Sequence, residues 1–178
     1  MKKIVLITVP ALLALSACSQ APTASSVALP DIPFRADAKL SYNSIGFSAE
    51  ITRTAAGKWE LTVTEPYPLE GLKTELCGDE TRVTMYGLEA SADTGDNAVS
   101  AAKAIASAYD AAVKSSGSFT ATDDGYTMSG TCPLGEFSVV LDKDGIPLTF
   151  SCDAADLSVE LSGFEELPKT EIEAEIVE

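Results

Sequence analysis

At 178 residues with 46% hydrophobic side chains, the chain is long enough for one domain with a real apolar core. Its formal charge of −15, from 27 acids against 12 bases, repels nucleic acid and anionic surfaces at long range and argues against DNA or RNA as a partner. There is no histidine, which excludes Ser–His and Cys–His catalytic pairs and His-based metal sites.

The N-terminus is built for export. Lys2 and Lys3 precede a run from Ile4 to Leu15 that is apolar except for Thr8 and Pro10, followed by the small residues Ser16 and Ala17. Such a run is too short to span a bilayer and has the flanks of a signal peptide. The stretch LSAC, Leu15 to Cys18, resembles the lipobox of bacterial lipoproteins. That resemblance implies removal of residues 1–17 and a diacylglyceryl group on the Cys18 thiol. The protein would then be held extracytoplasmically on the cell membrane or the outer membrane. Several acyl chains give firm anchoring where one is marginal. Residues 18–33 contain Ser, Ala, Thr and three prolines and read as a flexible tether.

From Phe34 the pattern has period two. Phe34, Ala36, Ala38, Leu40 and Tyr42 alternate with polar residues, and Phe47, Ala49 and Ile51 follow on one face. After the turn Ala55–Gly57, Trp59, Leu61 and Val63 share a face; Pro66 and Pro68 then interrupt the pattern. Leu72, Thr74 and Leu76 pair across a Gly78–Asp79 turn with Val83 and Met85. The period then changes. Residues 96–117 are alanine-rich and predict a helix near 97–114, with Val99, Ala102, Ile105 or Ala106, Tyr109 and Val113 on one face. This helix either packs on the sheet as plain core or also lids a cavity. Strands return over residues 118–122, 126–132, 136–142, 146–152 and 156–164. A hairpin turn at Asp144–Gly145 places Leu141 opposite Leu148, Val139 opposite Phe150 and Phe137 opposite Cys152.

Three cysteines follow Cys18. A Cys132–Cys152 bridge is expected, with Cys77 free, provided the loop at residues 133–135 bends inward; an intervening strand otherwise holds same-face residues about 10 Å apart. Residues 166–178 form an acidic edge strand or a tail. The sum is a mainly β (α+β) domain over 34–165. It is a strongly curved antiparallel sheet, or unclosed barrel, of about ten strands, with one main helix, between the fifth and sixth, on its concave side.

No nucleotide-binding or hydrolase motif occurs. Asp123 with Asp124 and Asp142 with Asp144 fall in turns, where Asp is favoured for backbone reasons, and the DTGDN stretch at 93–97 serves as a helix cap rather than a calcium loop. The reading is non-enzymatic, with no cofactor and no metal. The stretch FSAEITRTAAGKWELTVTEPYPLEGL and the mid-chain helix resemble the bacterial lipoprotein-carrier superfamily, which includes the outer-membrane lipoprotein carriers and receptors and the LppX and LprG type lipoproteins. The resemblance implies an unclosed barrel that holds lipid acyl chains between sheet and helix. Candidate lining residues are Trp59, Leu61, Val63, Leu72, Met85, Ile105, Tyr109 and Val113. The expected function is a membrane-anchored lipoprotein that binds or carries a lipid or other apolar molecule. The alternative is a surface interaction or scaffold lipoprotein with a solid core. The sequence names no protein partner.

Overall fold

The structure, a computed structural model, describes residues 23–24, 28–91, 97–114 and 119–168. Cys18, the expected leader at residues 1–17 and the acidic residues 169–178 lie outside them. The strands are β1 (Thr23–Ala24), β2 (Phe34–Tyr42), β3 (Ile45–Ala55), β4 (Lys58–Glu65), β5 (Lys73–Cys77), β6 (Glu80–Met85), β7 (Leu88–Ser91), β8 (Phe119–Ala121), β9 (Tyr126–Cys132), β10 (Gly135–Leu141), β11 (Pro147–Cys152) and β12 (Leu157–Glu166). One helix, α1 (Asn97–Lys114), separates β7 from β8. No helix among the described residues is long and apolar enough to cross a membrane.

The strands form a single antiparallel sheet in the order β1-β8-β9-β10-β11-β12-β2-β3-β4-β5-β6-β7. The first long strand, β2, and the last, β12, therefore lie side by side in the middle, with Val159 opposite Leu40 and Leu161 opposite Ala38. Hairpin ladders spread from them on both sides. In β2 the expected alternation is complete from Phe34 to Ser41: Phe34, Ala36, Ala38 and Leu40 are buried and the residues between them exposed. The sheet is open, and α1 lies on its concave face. It contacts β4 and β5 of one wing and β9 and β11 of the other.

The expected architecture holds, with differences that have local causes. The described residues form twelve strands rather than about ten, so the helix falls between the seventh and eighth of them rather than the fifth and sixth. β7 is only four residues long and all four are exposed, too short a run for its Leu88/Ala90 alternation to mark a strand. It exists because Tyr86 and Gly87 both take positive φ, the two-residue turn that folds a strand back on its neighbour. β1 pairs with β8 from within the expected tether. Residues 28–33, also assigned to the tether, are packed: Leu29 is buried, and the carbonyls of Pro30 and Ile32 accept side-chain hydrogen bonds. In the β10–β11 hairpin, Phe137 opposes Cys152 and Val139 opposes Phe150, but Leu141 opposes Pro147 rather than Leu148. Asp142 is the cause. Its carboxylate accepts the backbone N–H groups of Asp144 and Ile146, at 2.9 and 2.8 Å, building a wider loop that shifts the register by one residue.

The Cys132–Cys152 bridge is not formed; Cys77, Cys132 and Cys152 are free thiols. Cys132 pairs with Gly135 and Cys152 with Phe137 on the two sides of β10; their thiols meet as hydrogen-bonding neighbours at the end of that strand, with no bond between the sulfurs. Burial raises the pKa of the Cys152 thiol, a hydrogen bond with the Ala155 backbone opposes this, and the neighbouring Cys132 thiol adds to it.

Candidate functional site

The helix meets the sheet through two kinds of contact. Along its length, Ala101, Ala104, Ala108 and Ala112 are almost completely buried, so the helix backbone lies close to its surroundings and contributes few large side chains. Ile105 and Tyr109 supply most of the rest. At Asp110 the contact turns polar. The Arg53 side chain, 1% exposed, donates through Nε to Asp110 Oδ1 at 3.1 Å, through Nη1 to the Ile32 carbonyl at 3.1 Å and through Nη2 to Asp31 Oδ1 at 2.8 Å. Asp110 Oδ2 accepts from the Gly57 backbone N–H at 2.7 Å and from Trp59 Nε1 at 3.2 Å. Both carboxylate oxygens are therefore occupied.

An aromatic collar surrounds this ion pair. The guanidinium carbon of Arg53 lies 5.4 Å from the Tyr109 ring centroid and 5.7 Å from that of Trp59. Trp59 and Tyr109 pack edge to face at 5.3 Å, and Phe34 stacks on Phe164 at 4.8 Å. The Tyr109 hydroxyl donates to the Pro30 carbonyl at 3.2 Å. Burial pushes the Tyr109 pKa well above the ordinary tyrosine value; Arg53 opposes this, and Asp110 and Asp31 reinforce it. A buried ion pair survives because its hydrogen bonds replace those lost from water; removing one member leaves a bare charge and costs about 3–5 kcal/mol. This clamp ties together four segments: β3, the β3–β4 hairpin, the helix and the strap at residues 30–32.

All eight predicted lining residues belong to one apolar assembly between sheet and helix. Trp59, Leu61, Val63, Leu72, Ile105 and Tyr109 are buried in it, and Met85 and Val113 are half-buried at its margin. Within the same layer the Thr74 hydroxyl is fully buried and has no hydrogen-bond partner among the described residues. Beside this layer a cleft of about 690 Å³ opens along the helix flank. The turns Ala56–Gly57 and Gly78–Asp79 form one wall, Leu76 and Pro133 contribute apolar surface, and the helix from Lys103 to Lys114 forms the other wall. None of the eight predicted residues lines it. Asp110 does, so the clamp stands at the edge of the cleft.

Sequence reasoning missed Arg53 and Asp110, although both left a signal. Arg53 continues the inward phase of Ala49 and Ile51, and a charge in such a phase needs a buried partner. Asp110 follows the inward Tyr109 in an otherwise alanine-rich segment.

No family model matches the chain, and no curated protein matches it. Among solved structures it is similar to a LolA superfamily protein from Nitrosomonas europaea, at 10% identity and a TM-score of 0.45 over 83% of this chain and 92% of that one. It is also similar to an uncharacterized conserved protein from Thermus thermophilus, at 12% identity and a TM-score of 0.45 over 80% and 85%. A third is a DUF1329 family protein from Desulfovibrio piger, at 8% identity and a TM-score of 0.45 over 83% and 92%. Likeness at this level assigns no activity to the chain.

Proposed function

We propose that this protein is an extracytoplasmic lipoprotein, anchored to a membrane through Cys18, that binds or carries a lipid or other apolar molecule between its sheet and its helix. One observation supports this above the others: the apolar concave face of an open sheet is covered by a single, largely alanine-faced helix, with an open cleft along the seam. A ligand entering at the cleft and lifting the helix would meet Trp59, Leu61, Val63, Leu72, Met85, Ile105, Tyr109 and Val113. Each methylene withdrawn from water contributes about 0.8 kcal/mol, so a chain of about a dozen gains roughly 10 kcal/mol. That exceeds the roughly 3–5 kcal/mol cost of breaking the clamp. The unsatisfied Thr74 hydroxyl offers a polar ligand atom a partner in this layer.

The test uses the mature chain from residue 18 with Cys18→Ala, produced without residues 1–17 so that it needs no detergent, in native mass spectrometry before and after organic extraction. Stoichiometric adducts of acyl-chain mass, lost on extraction and regained with a lipid extract, are the expected result. A bare polypeptide mass that no lipid extract changes refutes the carrier reading. A diacylglyceryl mass on an N-terminal Cys18 peptide of the exported wild-type protein checks the anchor separately, and an unmodified Cys18 refutes it.

A second reading, a surface interaction lipoprotein with a solid core, has its own support. Tyr67, Tyr86 and Leu88 are 83%, 77% and 77% exposed, and the β4–β5 and β6–β7 connections bring them to one end of the sheet. Exposed apolar side chains gathered in one place suit contact with another molecule. The bare-mass outcome would favour this reading.

A further inference from the structure

We propose that the cleft beside the helix selects a single-chain amphiphile with an anionic head, either a carboxylate or a phosphate monoester. This rests on the reading that the helix–sheet seam accepts apolar molecules, and it adds which ones. The cleft, at about 690 Å³, falls within the roughly 300–1,000 Å³ range of small-molecule sites. Leu76, Ala106, Ala111 and Pro133 give it apolar surface for a tail.

Its charge is unlike that of the rest of the chain. Lys103 and Lys114 both line it. Three helical turns separate them, so they project from the same side of α1 at points about 16 Å apart along its axis. Among the described residues neither lysine is in an ion pair, a state shared by Lys39, Lys58 and Lys143, none of which lines this cleft. Two acids also line the cleft, but they are not equivalent. Both oxygens of Asp110 are committed to Arg53, Gly57 and Trp59, which leaves Asp79 as the one uncommitted carboxylate among the described lining residues. The lining holds two lysines and two aspartates, but Asp110 is buried against Arg53, so the charged groups that an incoming head meets are the two ammonium groups and Asp79. At about 0.1 M salt the repulsion from distant acids is screened beyond roughly 10 Å, so the lysines at the cleft decide what binds. Lysine suits an amphiphile, because its methylene stem covers the tail while its ammonium group meets the head in water.

The experiment titrates the mature chain from residue 18 with Cys18→Ala, produced without residues 1–17, with hexadecanoate, hexadecyl phosphate, hexadecanol, hexadecyltrimethylammonium and inorganic phosphate, each below its aggregation threshold. Trp59, the only tryptophan, reports binding from the edge of the cleft. Hexadecanoate and hexadecyl phosphate are expected to bind at least tenfold more tightly than hexadecanol, and their ratio tells which head is preferred. The double variant Lys103→Gln/Lys114→Gln should remove that advantage, bringing hexadecanoate and hexadecyl phosphate to within about twofold of hexadecanol, with thermal stability unchanged. If hexadecanol or the ammonium probe binds as tightly as hexadecanoate, or if the double variant retains the preference, anion selection is wrong and the apolar-carrier reading survives. If inorganic phosphate binds as well as hexadecyl phosphate, the tail contributes nothing and the proposal also fails. If no sixteen-carbon probe binds, both readings fall together.

Discussion

Within α1, the stretch from Ala101 to Ala108 and the pair Tyr109–Asp110 hold the same sheet by opposite means. The first is smooth: alanines at almost zero exposure bring the helix close, but methyl groups have no direction and little grip. The second is directional: a carboxylate with both oxygens occupied, a guanidinium with three hydrogen bonds and a collar of rings admit one geometry. The smooth contact supplies closeness and the polar contact supplies position. A cover fastened mainly at one point can move about that point, whereas one interlocked along its whole length cannot.

The comparison can be broken most severely at the clamp. Asp110→Ala takes from the buried Arg53 its buried partner and leaves it only the largely exposed Asp31 and the Ile32 carbonyl, and urea unfolding followed by Trp59 emission should show a loss of up to about 3–5 kcal/mol. The double variant Arg53→Met/Asp110→Asn removes both charges and keeps an acceptor for Trp59, so it should recover much of that loss. A double variant no better than Asp110→Ala would mean that the aromatic collar, not the ion pair, holds the helix.

The smooth contact is tested by adding bulk. Ala108→Leu should cost about 1–3 kcal/mol by forcing the helix outward, with a red shift in Trp59 emission. Loss of stability without that shift would show that the sheet, rather than the helix, yields. A smaller effect is expected between the two regions. Thr74→Val removes an unsatisfied hydroxyl and should stabilise the free protein by up to about 1 kcal/mol in the same urea assay. A destabilised variant would show that the hydroxyl has a hydrogen-bond partner in solution.

The smallest effect depends on pH. Burial holds the pKa of Tyr109 above its unfolded value of about 10, so the folded chain keeps a proton there that the unfolded chain loses. Stability from this group is complete below about pH 10 and declines as pH rises above it. Absorbance at 295 nm should show one of the five tyrosines ionising late, and Tyr109→Phe should remove that late step.

Much of the scaffold is legible because period-two burial is a strong signal. Phe34 to Leu40, Trp59 to Val63 and Phe137 to Leu141 alternate as the sheet requires. What escaped was set by features without periodicity. β7 depends on two positive φ angles, the β10–β11 register on one aspartate side chain, and the clamp on residues 57 positions apart in sequence. Arg53 and Asp110 could be suspected from their phase, but their pairing belongs to the tertiary fold. The cleft was harder still to foresee, since it is formed by turns and by the helix flank facing away from the predicted lining residues.

The meeting of β2 and β12 in the middle of the sheet has a consequence for how the molecule comes into being. A chain delivered N-terminus first can form the β2–β7 hairpins early, because each strand pairs with its neighbour in sequence. β2 lacks its second neighbour until Leu157–Glu166 arrives. Until then the two wings share no backbone ladder, and the apolar face that α1 will cover has only half its width. The last strand acts as a keystone: an interrupted or shortened chain is left as two unjoined half-sheets rather than a smaller version of the same protein.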